Sequence, residues 1–561
     1  MSAPFDTSFA AARRLHTDIQ DLLDHAAGVL AIRCADGSHL DGTALDARQV
    51  ACHALAFASA ELAAAGSVLD GADPPSLTPG SRLSLAGAAE SLQQACVWLD
   101  TLLLELGLPS DPLHALRAGT DLNSLRRTTL AAEALCPLAD SLMLDDGDIG
   151  HVRFSDEEQA ARAQFRRLSD EVIAPLAGKI HREDLTVPEV ILEPLRAMGA
   201  FGLSIPESFG GSAPEAGGGH RLMIATTEIL SEASLGAAGS LITRPEILGR
   251  ALLAGGTEEQ KRRWLPAIAA GQPLCAIAIT EPDYGSDVAG LTLRATRCKD
   301  GWQLSGAKTW CTFAGKAGLL MVVARTNPAR SLGHRGLSLL LVEKPSHDGH
   351  AFEYRPPGSG CLTGRAIPTL GYRGMHSFDL AFDDFFVPDT HVIGGEAGLG
   401  RGFYFAMAGM DGGRIQTAAR ALGVMRGALR QAIGYASDRK VFGRTLIDYP
   451  LTKAGIARMA ARLAVCRQFA YAVGDRMDRG GGRMEASLVK LFSCRAAEQV
   501  ARDAMQLFGG LGYAEESPVS RHFVDARVLS IFEGAEETLA LKVVAKSLLE
   551  AALATASPTP G

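Results

Sequence analysis

Apolar side chains recur at Leu15, Ile19, Leu22, Ala26 and Val29, a spacing of three and four residues that puts them on one face of a helix. Comparable stripes run through residues 50–62, 83–106 and 125–144, so the first 150 residues predict a purely helical region. The run G-A-D-P-P-S-L-T-P-G at 71–80 separates the second stripe from the third, and D-D-G-D-I-G at 145–150 closes the region. A second helical region opens at Ser155-Asp-Glu-Glu158, in the order of an S-x-x-E capping box. It is interrupted near Pro188 and by a glycine-rich run at 210–219, which follows no strand and so carries no expectation of phosphate binding. Helices are expected over 222–233 and 247–253, and Gly256-Thr-Glu-Glu-Gln260 starts another.

From about residue 273 the period shortens to that of strands. Trp302, Leu304 and Gly306 alternate with polar neighbours, 319–324 and 337–342 are β-rich runs, and Phe378, Leu380 and Phe382 share one face. No helix-length segment separates these strands, which predicts an antiparallel sheet. The run G-G-E-A-G-L-G-R-G at 394–402 lacks the context of a dinucleotide loop and reads as a connector. Beyond it the helical period returns, with one stripe at Leu422, Met425, Leu429 and Ile433 and another from Ile456 to Met477. Two more follow at 484–500 and 538–549, together the material of a four-helix bundle. The predicted fold is mainly α with a central antiparallel β domain. Its expected parts are an N-terminal helical extension (1–150), a helical domain (151–272), the β domain (273–395) and the bundle (396–561).

Composition narrows the function. The chain has 561 residues, 47% of them apolar, and a net charge of −8, which argues against a broad basic face for nucleic acid. Its ten cysteines show no C-x-x-C pair and no histidine at zinc spacing, so they read as small buried apolar residues in a reducing compartment, with no metal site. The N-terminal residues M-S-A-P-F-D-T-S lack the order of a targeting peptide, and the apolar runs at 318–324 and 337–342 are far short of a membrane span. The expected location is the cytoplasm.

Two stretches carry candidate chemistry. Glu533 stands between the apolar pair Ile531-Phe532 and Gly534, where partial loss of water would make a carboxylate a better base. The competing reading is a glutamate at a helix N-terminus, stabilised by the macrodipole. Residues 275–290, C-A-I-A-I-T-E-P-D-Y-G-S-D-V-A-G, run a strand of small apolar residues into a turn that offers backbone N–H groups and the hydroxyls of Thr280 and Ser286 to a flat polar ligand and phosphate oxygens.

This stretch, with G-A-K-T-W-C-T (306–312), D-R-K-V-F-G-R (438–444), Q-L-F-G-G-L-G-Y (506–513) and I-F-E-G (531–534), resembles the acyl-CoA dehydrogenase family of flavoproteins over about residues 151–555. The resemblance implies a helical domain, a β-barrel-like domain and a four-helix bundle, with FAD as cofactor. It implies that Ile277, Ile279 and Thr280 face the isoalloxazine, that Ser286 meets the pyrophosphate side or the CoA, that Trp310 packs on the flavin and that Thr312 bonds near N5. Arg439, Phe442, Gln506 and Gly510 would hold the ADP half of FAD from a neighbouring subunit, which implies an obligate homo-oligomer. Read without the resemblance, Trp310 is a core aromatic and Arg439 a solvated helix charge. Glu533 falls on the family's base, which removes the α-proton of a thioester while the β-hydride leaves to the flavin. Asp411, Arg414 and Gly534 join it as expected substrate-side residues, with Arg414 near the base. Ala535 and Glu537 depart from the family's Thr or Ser and Gln at those positions.

Within the family, the front extension, S-L-I-T-R-P-E-I-L (240–248) and I-F-E-G-A-E-E-T-L resemble the branch that acts on a short, branched dicarboxylyl-CoA, and the resemblance implies (2S)-methylsuccinyl-CoA as substrate. Its free carboxylate calls for a fixed cation. Arg244 is the candidate, against the alternative of a surface arginine at a helix break. An electron-transfer flavoprotein is the implied electron acceptor. Three other readings share the motifs, another short- or branched-chain acyl-CoA dehydrogenase, an acyl-CoA oxidase and a DNA-associated flavoprotein, and the last lacks the basic face it would need. The extension carries no chemistry of its own. Its apolar stripes suit a cover for the bundle surface, which would leave a homodimer.

Overall fold

A computed structural model of the chain describes residues 3–70, 78–144, 149–150, 152–215 and 218–556. Residues 71–77 and 145–148, most of the two breaks expected in the N-terminal region, lie outside them. The chain forms two compact units, one of residues 1–155, 417–476 and 481–561, the other of residues 156–416 and 477–480. The N-terminal helices and most of the C-terminal bundle therefore fall in the same compact unit.

Three long helices dominate the N-terminal region, α1 (Ala3–Arg33), α2 (Gln49–Leu69) and α3 (Pro79–Leu106). On α1 the buried stripe is Leu15, Ile19, Leu23, Ala26 and Leu30, with Leu22 and Val29 on its flank. By length and composition α2 could cross a membrane, although alanine-rich stretches rather than a run of large apolar residues make up its sequence. Within its unit 78% of its most apolar window is buried, and α3 is packed along it.

The second unit holds the segment 156–272 and the sheet. Among its helices are α4 (His220–Ala233), α5 (Thr243–Gly255) and α6 (Glu258–Ala269). The last starts where the sequence placed it, on a capping box in which Thr257 Oγ1 accepts from the Gln260 N–H at 3.2 Å and the Gln260 side chain accepts from the Thr257 N–H at 3.0 Å.

The strands are β1 (Cys275–Ala278), β2 (Arg294–Cys298), β3 (Gly301–Thr312), β4 (Leu319–Arg325), β5 (Leu337–Glu343), β6 (Ala351–Tyr354), β7 (Cys361–Ala366) and β8 (Ser377–Pro388). They pair in the order β1-β4-β2-β3-β8-β7-β6, with β5 on the second edge of β4. The antiparallel expectation holds except at β4, which is parallel to β1 and meets β2 in a single parallel pair, Arg294 with Arg325. A parallel pair needs a long crossover, usually a helix. Here the β2–β3 hairpin is that crossover, and it joins the same sheet. Register shifts at Phe378/Leu380 and Phe382/Phe385 bend the long β3–β8 ribbon, and Trp302, Leu304, Phe378, Leu380 and Phe382 are buried beneath it.

The bundle is built from α7 (Gly402–Asp438), α8 (Pro450–Asp478), α9 (Arg483–Phe508), α10 (Pro518–Leu529) and a final helical segment from Glu536 to Ala556. From Thr417 onward α7 belongs to the first unit. There α2 packs against α9 and the final segment, and α1 against that segment's end. Gly87 on α3 makes a close helix crossing with α8 possible, since a Cβ there would lie 2.4 Å from Ala461 O and Val465 Cγ2. Arg462 of α8 reaches Glu61 of α2 at 3.4 Å and Glu90 of α3 at 3.9 Å. Burial pushes both carboxyls up, with the guanidinium opposing it.

Candidate active site

Glu533 lies in the turn between α10 and the final segment, outside any helix and with φ +54°, so the helix N-terminus reading is set aside. Gly534 follows at φ +100°, and a Cβ there would lie 2.8 Å from Leu539 Cδ2. The turn therefore needs glycine on both counts. The Glu533 side chain is only 9% exposed. Its Oε2 accepts from Thr417 Oγ1 at 2.7 Å and from Arg420 Nη2 at 2.7 Å, and the same Arg420 nitrogen donates to Thr417 Oγ1 at 2.9 Å. Arg420 is fully buried on α7, its guanidinium 4.8 Å from the Phe532 ring centroid. From α9 the buried Lys490 donates to the carbonyl of Phe532 at 2.7 Å and to that of Gly534.

One expectation is corrected here. Ile531, expected to take water from Glu533, is 53% exposed, and the burial comes from α7 instead. Arg420 is hydrogen-bonded to Glu533 and lies further along the helix than Arg414, whose own ion pair is with Asp411 at 2.9 Å. Burial, with Asp411 opposing it, pushes the Arg414 guanidinium below its ordinary range. Thr417, Arg420 and Lys490 were not found from the sequence. Their one signal was polar side chains on otherwise apolar stretches, T-A-A-R-A-L and L-V-K-L-F.

In the same unit, Arg439 and Phe442 lie exposed at and just beyond the end of α7, and Gln506 and Gly510 lie exposed at the end of α9. Tyr435 stacks on Phe508 with ring centroids 4.2 Å apart, which joins those two helix ends. Phe442 is 98% exposed at the tip of a two-residue hairpin. A guanidinium, an aromatic face and an amide on one exposed edge suit a phosphorylated adenosine.

The second unit holds the remaining expected cofactor residues. Ile277 and Ile279 are half-buried at the end of β1, and the Thr280 carbonyl accepts from the Thr309 N–H at 2.9 Å. The loop from Thr280 to Leu293, which carries the exposed Ser286, is fixed by a buried pair. Lys308 Nζ donates to Ile279 O at 2.7 Å and to Glu281 Oε1 at 2.8 Å. Glu281 in turn accepts from the N–H groups of Thr292 and Leu293 at 2.7 and 2.8 Å. Burial opposes the charge on Glu281, but Lys308 and these hydrogen bonds outweigh it and hold the carboxyl below its ordinary value. Trp310 has φ +57° and is 55% exposed, so it is not a core aromatic. Thr312 is buried, its hydroxyl 2.9 Å from that of Ser377. An exposed indole beside a fixed turn of hydroxyls and amides fits a flat, polar ring system such as FAD.

Arg244 is buried in the first turn of α5, with Nη1 donating to Ser240 O at 3.2 Å, which overturns the surface alternative. A polar network surrounds that turn. Thr243 donates to Gln416 at 2.6 Å, Gln416 to Glu246, and Arg250 to Glu246 at 2.8 Å. His220 Nε2 lies 3.0 Å from Arg250, and its Nδ1 lies 2.5 Å from Asp478. Among the described residues, Asp184, His350 and His376 bring three possible metal ligands within 4.8 Å of one another. His376 Nε2 lies 3.0 Å from Asp184 Oδ1 and Arg373 lies 3.6 Å from the same oxygen, so this is a hydrogen-bonded cluster that already has its cation.

One unit thus carries a buried carboxylate on a helical bundle, and the other a sheet with an exposed indole and a fixed hydroxyl turn, features that suit a flavin-dependent oxidoreductase. Three family models match, the N-terminal domain of acyl-CoA dehydrogenase over residues 155–272, its middle domain over 276–385 and its C-terminal domain over 400–549. The chain belongs to the acyl-CoA dehydrogenase family, whose members are FAD-dependent enzymes. It is 39% identical over 452 residues to (2S)-methylsuccinyl-CoA dehydrogenase of Cereibacter sphaeroides, covering 80% of this chain and 78% of that one. It is 31% identical to the CarC subunit of the caffeyl-CoA reductase–Etf complex of Acetobacterium woodii, covering 68% of this chain and 96% of that one. The butyryl-CoA dehydrogenase structure from Megasphaera elsdenii superimposes with a TM-score of 0.65 at 28% identity, over 71% of this chain and all of that one.

Proposed function

We propose that this chain oxidises a short, branched dicarboxylyl-CoA between its α and β carbons, converting (2S)-methylsuccinyl-CoA to mesaconyl-CoA as in the ethylmalonyl-CoA pathway. The observation that carries the reading is the buried Glu533 carboxylate, fixed by Thr417 and Arg420, in a chain similar to a methylsuccinyl-CoA dehydrogenase. Glu533 takes the α-hydrogen as a proton, and the electron pair left on the α-carbon becomes the new double bond. FAD, when bound, supplies the acceptor for the β-hydrogen and its electron pair. Arg420 favours the ionised carboxylate that the role requires, opposing the cost of its burial. Lys490 keeps the backbone of the turn in place, so that the base is presented rather than searching for its substrate. Arg244 binds the substrate's free carboxylate, and Asp411, Arg414 and Gly534 lie on the substrate side. Ile277, Ile279, Thr280, Ser286, Trp310 and Thr312 hold the ring end of FAD, and Arg439, Phe442, Gln506 and Gly510 its ADP end.

An electron-transfer flavoprotein takes the electrons onward, a reading supported by the Etf complex named for the Acetobacterium relative. The assembly is a homodimer, since α1 and α2 cover helical surface of the bundle. A light-scattering mass of four chains would remove that reading. The function is tested by anaerobic bleaching of the flavin with (2S)-methylsuccinyl-CoA and with butyryl-CoA. The parent protein should bleach faster with the first, and Glu533→Gln should bleach with neither. Bleaching by Glu533→Gln at the parent's rate would sink the assignment of the base.

A further inference from the structure

Arg495 stands on α9 with its guanidinium between two sets of partners. On one side it grips Glu536 through two parallel hydrogen bonds, Nε to Oε2 at 2.9 Å and Nη2 to Oε1. On the other side its Cζ lies 3.7 Å from the ring centroid of Phe57 on α2 and 5.4 Å from that of Trp98 on α3. The two rings pack together with centroids 5.2 Å apart, and His53 lies 4.6 Å from Phe57. Burial first, and Arg495 second, push the His53 imidazole below its ordinary value, so it does not compete as a second cation on the rings.

Glu536 stands just beyond the base, and its N–H closes the turn by donating to Ser530 O at 3.1 Å. The other end of the turn is tied to α9 as well, Ser530 Oγ donating to Glu498 at 2.5 Å. Lys490 holds the middle. One helix therefore fastens the turn at three heights, and the Arg495 fastening is backed by the N-terminal helices. An arginine side chain left in water samples many rotamers, whereas one laid on an aromatic platform is pre-organised for a bidentate carboxylate.

We propose that Arg495 is a positioning residue for Glu533, and that the N-terminal helical region acts on the reaction by seating Arg495 on Phe57 and Trp98. This rests on the reading of Glu533 as the base. It gives residues 1–150 a part in turnover in addition to any part in assembly, because a small displacement of a base is costly in rate.

The test uses the full-length, flavin-loaded enzyme with (2S)-methylsuccinyl-CoA and with butyryl-CoA. Phe57→Leu keeps most of the volume and removes the π face. It should lower kcat about three- to tenfold with KM and flavin content unchanged, and Phe57→Tyr should keep the parent's kcat. Arg495→Met should lower kcat at least as far, and adding Phe57→Leu to it should cost nothing more, because the two act through one another. A parental kcat in Phe57→Leu, or full additivity in the double variant, overturns the proposal. If Arg495→Met does not fold, the Phe57→Leu and Phe57→Tyr pair decides alone. Glu533→Gln is measured alongside. If it still bleaches with thioester, the assignment of the base has failed; if it is inactive while the Phe57 variants match the parent, this inference alone has failed.

Discussion

Lys490 Nζ lies 2.7 Å from the carbonyl oxygen of Phe532, the residue before Glu533. The same ammonium also donates to Gly534, so a buried cation holds the peptide units on both sides of Glu533. It does so where the backbone is strained, since a glutamate at φ +54° pays a penalty that the surrounding contacts must over-determine. Lys490→Met removes both donations and leaves two carbonyls short of a partner. The expected loss is about 2–4 kcal/mol of stability in chemical denaturation, hydrogen bonds to charged groups being the stronger kind. A fall in kcat that exceeds the change in KM should accompany it, read from steady-state kinetics on material of matched flavin content.

Arg420 brings a full positive charge to the same carboxylate oxygen that Thr417 donates to. Other charged groups pack nearby on α9 and the final segment, namely Lys490, Glu498 and Glu536, around the Cys494 thiol, which burial pushes up to about 12 and keeps neutral. Arg420 is bonded directly to the Glu533 carboxylate. The charged form of a carboxylate loses ground when an adjacent cation is removed. In Arg420→Gln the acidic limb of the kcat/KM profile should therefore move to higher pH, and in Arg420→Lys it should stay closer to the parent. An unmoved limb in a folded Arg420→Gln protein would show that the arginine does not set the ionisation of the base.

Glu281 and Lys308 form the buried pair that fixes the loop of Thr280 and Ser286. Because the Glu281 carboxyl is held below its ordinary value of 4.5, its contribution to stability is present above that pH and is lost as the pH falls further. Glu281→Gln should flatten the acid side of the stability curve below about pH 4.5 while lowering stability at neutral pH. Lys308→Met strands a buried carboxylate and should cost more, about 3–5 kcal/mol, with loss of flavin during purification as the accompanying sign. Denaturation midpoints between pH 3 and 7 and the absorbance ratio of flavin to protein check both, with roughly equal loss across that range counting against the argument.

The order of helical, sheet and helical segments was legible because periods of 3.6 and 2 are written into the residues themselves, as at Leu15, Ile19 and Ala26 or at Trp302 and Leu304. The parallel pairing of β1 with β4 was not, since it depends on a hairpin between them joining the sheet they share. Glu533 stands out from its neighbours in the sequence, but those neighbours are only part of what buries it. Ile531 turns outward, and the groups that bury and charge-balance the base lie 116 and 113 residues earlier in the chain, at Thr417 and Arg420. Such partners are fixed by tertiary return of the chain, and a lone arginine in an alanine-rich helix gives no indication of what will face it. The same holds for Arg495, whose aromatic seat comes from Phe57 and Trp98 in the N-terminal region.

Arg244 offers the sharpest test of the substrate. It is buried at the start of α5, and the neighbouring side chains are already committed, Thr243 to Gln416 and Glu246 to both Gln416 and Arg250. The guanidinium thus sits in a turn held rigid by other bonds, which is what selective recognition of a second carboxylate requires. A charge-assisted hydrogen bond contributes about 1.5–3 kcal/mol, so Arg244→Met should lower kcat/KM for (2S)-methylsuccinyl-CoA by about 10- to 150-fold. Butyryl-CoA has no carboxylate to lose, and its kcat/KM should change less than about threefold, the scale of an ordinary packing change. Arg244→Lys should recover part of the first figure, since a point charge replaces a planar fork. Losses of the same size for both thioesters would mean that Arg244 supports the helix start and leaves the choice of acyl group to other residues.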